Sequence, residues 1–223
     1  MSEPSSTQVK ADIKKAYDDI AHTYLDWTQP SHATRLAYLG NMLQSLEPSS
    51  KSILELGCGA GVPCTQLLAS RGYHVTANDI SESQIALARE RLPSSVDLLQ
   101  GDMMGLEFGQ QFDAVLAMYS IFHLPRDEQT IILCRIFEWL KPGGRLLANF
   151  PETGFESASS ESWLGGTKGK MHWSGWGRSE TKRLLIEIGF EVDVDEIVVD
   201  TEEDGGVARD VAFQWILATK RVQ

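Results

Sequence analysis

Residues 52–61, Ser-Ile-Leu-Glu-Leu-Gly-Cys-Gly-Ala-Gly, constrain the fold more than any other stretch of the chain. Ile53, Leu54 and Leu56 form an apolar run with little alternation, the mark of a strand covered on both faces of a parallel sheet. Gly57, Gly59 and Gly61 remove Cβ atoms where the chain must turn sharply and where a ligand can approach the backbone. Pro63, a favoured first-turn residue, opens the helix that follows. A strand, a glycine turn and a helix usually mean a nucleotide-like ligand. The spacing departs from the dinucleotide fingerprint G-x-G-x-x-G, because Val62 stands where the last glycine belongs. Glu55, just ahead of the turn, suits a positively charged ligand better than a pyrophosphate.

Strand and helix patterns alternate after this point, which predicts a parallel sheet with helices on both faces. Strands are expected at about 52–56, 74–78, 96–100, 112–117 and 145–150. Helices are expected at about 62–71, from the capping box Ser81-Glu82-Ser83-Gln84 to Pro93, and over 125–141. Two helices precede the first strand. Ile13, Ala16, Tyr17, Ile20, Ala21 and Tyr24 recur at helical steps, and Leu36, Leu39, Leu43 and Leu46 share a face over 33–46. Residues 9–48 thus read as a helical cover, and the polar residues 1–8 as a flexible N-terminus. Residues 151–177 show no clear period and read as a long functional loop or lid on the substrate side. A helix at about 179–188 and strands at 190–199 and 211–219 close the chain, joined by an acidic turn over 201–209. The expectation is one α/β domain over 9–223, with a seven-stranded, mostly parallel sheet carrying one antiparallel edge-hairpin strand.

The formal net charge of −11 argues against a non-specific nucleic-acid binder, and no Lys/Arg run supplies a local groove. No apolar run reaches membrane-spanning length and no signal peptide is visible, so a cytoplasmic protein is expected. Cys58, Cys64 and Cys134 match no zinc spacing and read as reduced and structural, with Cys134 on an apolar helix face.

Ligands of open α/β sheets lie at the carboxyl ends of the strands. Asp79 ends the second strand, where a carboxylate can accept both hydroxyls of a ribose; the alternative is an acid stabilised by a helix dipole. Asp102 ends the third strand, placed to accept from an adenine amino group with Met103 on the ring; otherwise it is a turn residue. His123 follows the fourth strand as either a structural histidine or a general base of suitable pKa.

The ordered segments 53–61, 78–81 (Asn-Asp-Ile-Ser), 100–103 (Gln-Gly-Asp-Met), 112–115 (Phe-Asp-Ala-Val) and 140–144 (Leu-Lys-Pro-Gly-Gly) resemble the motifs of class I S-adenosylmethionine-dependent methyltransferases. Segments 119–128, 163–165 and 171–174 are similar to a mostly uncharacterised subgroup of small methyltransferases. The resemblance implies the Rossmann-like class I fold and S-adenosylmethionine as cofactor, with S-adenosylhomocysteine as product. It implies cofactor contacts from Glu55, Gly57, Cys58, Gly59, Gly61, Asp79, Ile80, Asp102 and Met103, with Met118 and Tyr119 beside the methionine part. Tyr17 and Tyr24 either cover the cofactor or pack the helix on the domain.

Trp27, with Phe155, Trp163, Trp173 and Trp176 of the long loop, are candidates for the walls of an apolar substrate pocket; the alternative is a surface loop pinned by its tryptophans. His123, then Tyr119 and His172, are the candidate general bases. The site after the fourth strand lacks the Asn/Asp-Pro-Pro-Tyr/Phe motif of nucleic-acid amino methyltransferases, and that strand ends without an acid, so neither base methylation nor a metal is expected. The expected function is methyl transfer to an O, N or S atom of a small molecule, by a monomer or homodimer. The alternatives are a protein or RNA methyltransferase and a non-catalytic S-adenosylmethionine-binding protein.

Overall fold

The alternating patterns resolve into a seven-stranded sheet of order β3-β2-β1-β4-β5-β9-β8 in the computed structural model, which describes residues 4–221. Its parallel members are β1 (Ser52–Leu56), β2 (His74–Asp79), β3 (Asp97–Gln100), β4 (Phe112–Ala117) and β5 (Leu140–Pro151). The strand order reverses at β1 and β4, which opens a crevice at their carboxyl ends. β9 (Val207–Lys220) runs antiparallel to β5, and β8 (Phe190–Asp204) pairs antiparallel with β9. The antiparallel strand therefore lies one place in from the edge, and β8 forms the edge.

Period-2 alternation divides each strand between two cores. Ile53, Ala114 and Leu116 face one core with Leu39 and Met42 of α2 (His32–Gln44), Leu68 of α3 (Cys64–Ser70) and Ile85 of α4 (Glu82–Arg91). Leu54, Leu56, Val115 and Ala117 face the other, with Ile132 and Ile136 of α5 (Arg126–Trp139) and Leu185 of α6 (Arg178–Ile188). Burial of an apolar side chain on this scale contributes about 1.5–3 kcal/mol. Trp215 of β9 is fully buried and stacks on Tyr38 of α2 with centroids 4.4 Å apart.

The structure corrects several expectations. Helix α1 (Ser6–Trp27) begins within the stretch expected to be flexible, because Ser5 caps it: its Oγ accepts the Gln8 amide at 3.3 Å. Met1–Glu3 lie outside the described residues. The 151–177 stretch is not a periodless loop: it contains the antiparallel pair β6 (Phe155–Ser160) and β7 (Met171–Gly175), with a bulge between Phe155 and Ala158 that hides the alternation. The acidic 201–209 segment is mostly strand. β8 and β9 pair as far as Asp204 and Val207, and only Gly205-Gly206 turn, both at positive φ. Cys134 is exposed rather than on an apolar face.

Helix α1 lies across the carboxyl ends of the strands. Val9, Ile13, Ala16, Tyr17 and Ile20 pack with Met171 of β7. Asp18 accepts from Ser81 Oγ at 2.7 Å and the Ser83 amide at 3.0 Å, tying α1 to the start of α4. Asp19 accepts the amides of Thr167 and Lys168. Gly169, at φ +73°, passes so close to the α1 backbone at Asp12 and Ala16 that a Cβ would collide with it.

Candidate functional site

The glycine turn is held by the end of β2. The Asn78 carbonyl accepts the amides of Gly57 and Cys58 at 2.8 and 2.9 Å, and Asp79 Oδ2 accepts the Gly59 amide at 2.8 Å. Gly57, Gly59 and Gly61 all have positive φ, and a Cβ on Gly57 would strike Ser120. Above this turn runs a cleft lined by Lys10, Ile13, Tyr17, Tyr24, Gly57, Gly59, Asn78, Asp79, Ile80, Gln84, Gly101, Asp102, Met103, Tyr119, Ser120, His123 and Leu124. Many sequence-predicted cofactor residues meet here.

Others do not. Strand parity turns Glu55 to the Ile53 side, where it is buried and accepts from Thr65 Oγ1 at 2.5 Å. Burial pushes its carboxyl up to about 7, against the pull of Thr65 and Arg35. Met118 packs into the core. Gly61 abuts Leu92, where its missing Cβ makes room. Cys58 lines a small recess continuous with the cleft, shared with Tyr24, Arg35, Gly57, Gly59 and Gln84.

Asp79 is buried at the cleft, and that burial pushes its carboxyl up to about 6 even though the Ser81 and Gly59 amides donate to it. Asp102 does not stand free. Its Oδ1 accepts the Met104 amide at 2.9 Å, and its Oδ2 lies 2.7 Å from Lys10 Nζ of α1, which also reaches Glu128 at 3.1 Å. Three buried side chains on the cleft wall carry polar atoms without a partner among the described residues: Asn78 Oδ1, both amide atoms of Gln84, and Ser120 Oγ. Buried groups left in this state are costly.

Sequence reasoning missed Lys10, Arg35 and Gln84. The sequence presents Gln84 as half of a capping box; the Gln84 amide does donate to Ser81 Oγ at 3.1 Å, but the Ser81 amide is taken by Asp79, which leaves the Gln84 side chain to face the cleft. Arg35 stacks over the Tyr119 ring at 4.3 Å and remains charged despite its burial.

A second cavity, about 250 Å³, adjoins the cleft and shares Tyr17, Tyr24, Tyr119 and His123 with it. The remaining walls include Trp27, Phe122, Phe155, Trp163, Trp173, Glu202 and Phe213. Trp176 is not among them. It lies under Arg126 at 5.0 Å and faces an outer groove together with the His172 ring.

The candidate bases separate on geometry. His123 is buried, with Nδ1 2.8 Å from the His172 carbonyl and Nε2 2.9 Å from the Tyr17 hydroxyl. A carbonyl only accepts, so Nδ1 carries the proton and Nε2 accepts from Tyr17. Burial lowers the His123 pKa to about 4, keeping the ring neutral. The Tyr119 hydroxyl donates to Asp200 at 2.5 Å, and burial together with that bond holds its phenol above the ordinary range. Tyr119 is therefore no base. It sits at φ +54°, unusual for a non-glycine residue, with its amide donated to Asn149 Oδ1 at 2.6 Å. His172 contributes its carbonyl rather than its ring, whose Nε2 stands 3.5 Å from Asp12 outside the cavity.

The comparisons with known proteins agree with this architecture. Residues 53–144 match the family described as "Methyltransferase domain". An uncharacterized methyltransferase of Bacillus mycoides is 27% identical over 135 residues, which cover 59% of this chain and 63% of the relative. The match thus spans less than two thirds of the curated relative's length. Among solved structures, the complex of DhpI with S-adenosylhomocysteine superposes with a TM-score of 0.74 at 19% identity, over 98% of this chain and 100% of that one. The 1,6-didemethyltoxoflavin-N1-methyltransferase of Burkholderia thailandensis, with bound substrate and S-adenosylhomocysteine, gives a TM-score of 0.69 at 18% identity, over 100% and 93%. Similarity at this level shows the fold. Residues 53–144 thus carry a methyltransferase-domain match, and the chain has the fold of the S-adenosylmethionine-dependent methyltransferases it superposes on.

Proposed function

We propose that the protein binds S-adenosylmethionine in the cleft and transfers its methyl group to an O, N or S atom of a small molecule held in the aromatic cavity. The observation that carries this reading is the shared wall: Tyr17, Tyr24, Tyr119 and His123 line both compartments. The cleft fits the cofactor, because its unpartnered Asn78, Gln84 and Ser120 atoms offer both donors and acceptors. Asp79 is suited to the ribose hydroxyls. Asp102 keeps lone pairs for an adenine amino group beside Met103, although Lys10 already engages it. Arg35, in the adjoining recess, is suited to the amino-acid carboxylate. When bound, the cofactor supplies a methyl group on a sulfonium, a leaving group that needs no covalent enzyme intermediate.

The protein's own task is to orient the acceptor, exclude water and accept a proton where one is released. The aromatic walls serve the first two. Neutral His123, oriented by the His172 carbonyl, takes the third role through or beside the Tyr17 hydroxyl. Its lowered pKa makes it a weak base. An acceptor becomes far more acidic once methylated, so a weak base suffices late in the reaction.

Two measurements test this reading. Calorimetry should show S-adenosylhomocysteine binding with no response to NAD, and Asp79→Ala should weaken that binding at least about tenfold, near 1.4 kcal/mol. A screen of thiol, phenol, carboxylate and amine acceptors with labelled donor should reveal transfer. An unchanged dissociation constant in Asp79→Ala, or no binding at all, contradicts the assignment.

A further inference from the structure

We infer that the acceptor is a molecule with an apolar, ring-like body and a basic nitrogen, and that Glu202 on the wall of the aromatic cavity anchors that nitrogen. The inference rests on the methyl-transfer reading and adds the chemical class of the substrate. Asp200, Glu202 and Asp204 follow one another on one face of β8 by the period-2 rule. Asp200 is engaged by the Tyr119 hydroxyl at 2.5 Å, and Asp204 by the Leu164 amide at 2.9 Å. Glu202, between them, lines the cavity and has no hydrogen-bond or salt-bridge partner among the described residues. Arg209 stands opposite it in the ladder but is exposed and forms no ion pair with it.

Among the described residues, Glu202 is also the one carboxylate on the cavity wall, and no Lys or Arg lines that wall. Besides tyrosines, His123 is the other titratable side chain among the described residues lining the cavity, and it is neutral. Burial, with Asp200 and Asp204 close by, pushes the Glu202 carboxyl up to about 7. A half-buried carboxylate without a partner is costly, and a cation is the ligand that relieves the cost. The surrounding rings of Tyr24, Trp27 and Trp163 favour a cation as well, since their faces are electron-rich. An anionic acceptor would meet repulsion from Glu202, since Arg35 lies behind the Tyr119 ring and Arg209 is exposed, neither of them on the wall.

The test uses two probes with the same ring and opposite charge, tryptamine and indolepropionic acid. Each is titrated calorimetrically at about pH 8 into protein saturated with S-adenosylhomocysteine, where Glu202 is ionised. The expected result is tryptamine binding at least about tenfold tighter than indolepropionic acid. Glu202→Gln should bring the two within about threefold of each other, with S-adenosylhomocysteine affinity unchanged. Equal affinities in the wild type, preference for the acid, no binding of either probe, or full preference retained in Glu202→Gln would each overturn the inference. The wild-type comparison stands even if the variant does not fold. Failure of S-adenosylhomocysteine itself to bind removes the methyl-transfer reading and this inference with it; normal binding without amine preference removes this inference alone.

Discussion

Glu55 and Asp79 both close parallel strands at the same end of the sheet, yet only Asp79 reaches the cleft. Glu55 is turned by strand parity into the layer between β1 and α3, where Thr65 holds it. Its folded pKa is raised above the unfolded value, so its stabilising contribution is present at low pH and is lost as pH rises from about 4.5 through about 7. Replacing Glu55 by Gln should therefore help most at alkaline pH. The stability difference between Glu55→Gln and wild type should shift in the variant's favour by up to about 3 kcal/mol between pH 5 and pH 8. Urea unfolding at the two pH values checks this. A pH-independent difference would mean that Glu55 is ionised in the fold without penalty. His123 acts in the opposite sense, since its depressed pKa costs stability as pH falls below about 6.5, so the comparison with the variant, rather than the raw profile, isolates Glu55.

At the scale of elements, α1 is fastened to the cleft by side chains at several of its turns: Lys10 to Asp102 and Glu128, Ser6 to Glu128, Asp18 to the start of α4, and Tyr17 to His123. Lys10→Met should loosen the first turns of α1 and leave the sheet intact. Hydrogen exchange over residues 6–16 should quicken several-fold while β1 and β4 remain protected; unchanged exchange would show that the apolar face alone holds the helix. The core elements were legible because local signals agreed. The unbroken apolar run of β1, the Ser81 cap and the Pro-Gly-Gly segment after α5 each express a preference that needs no distant partner. The β6–β7 pair was not legible, because its bulge breaks the alternation. The hairpin strands were read too short, because acidic residues such as Glu202 and Glu203 resemble a turn in composition while the ladder pairs them. Asp79 and Asp102 were readable from position at strand ends. Lys10, Arg35 and Glu202 were not, because each comes to the site from a segment remote in the chain whose local pattern speaks only of a helix face or a charged strand.

Across the whole molecule, the two compartments share α1. The cleft is completed by the ends of β1, β2, β3 and β4. The cavity is closed by α1, the β6–β7 pair and the β8–β9 hairpin, joined by Trp27 Nε1 donating to the Glu203 carbonyl at 2.7 Å. Among the described residues no helix is long and apolar enough to cross a membrane. Because Tyr17 and Tyr24 form one partition, whatever settles against their cleft side fixes the shape of the other side. Turnover should accordingly follow a compulsory order of addition, methyl donor ahead of acceptor, with the demethylated product leaving last. Initial-rate plots against any acceptor should intersect, S-adenosylhomocysteine should compete with the donor alone, and a non-reacting acceptor analogue should be uncompetitive against the donor; noncompetitive inhibition by that analogue would show that the two chambers fill without regard to each other.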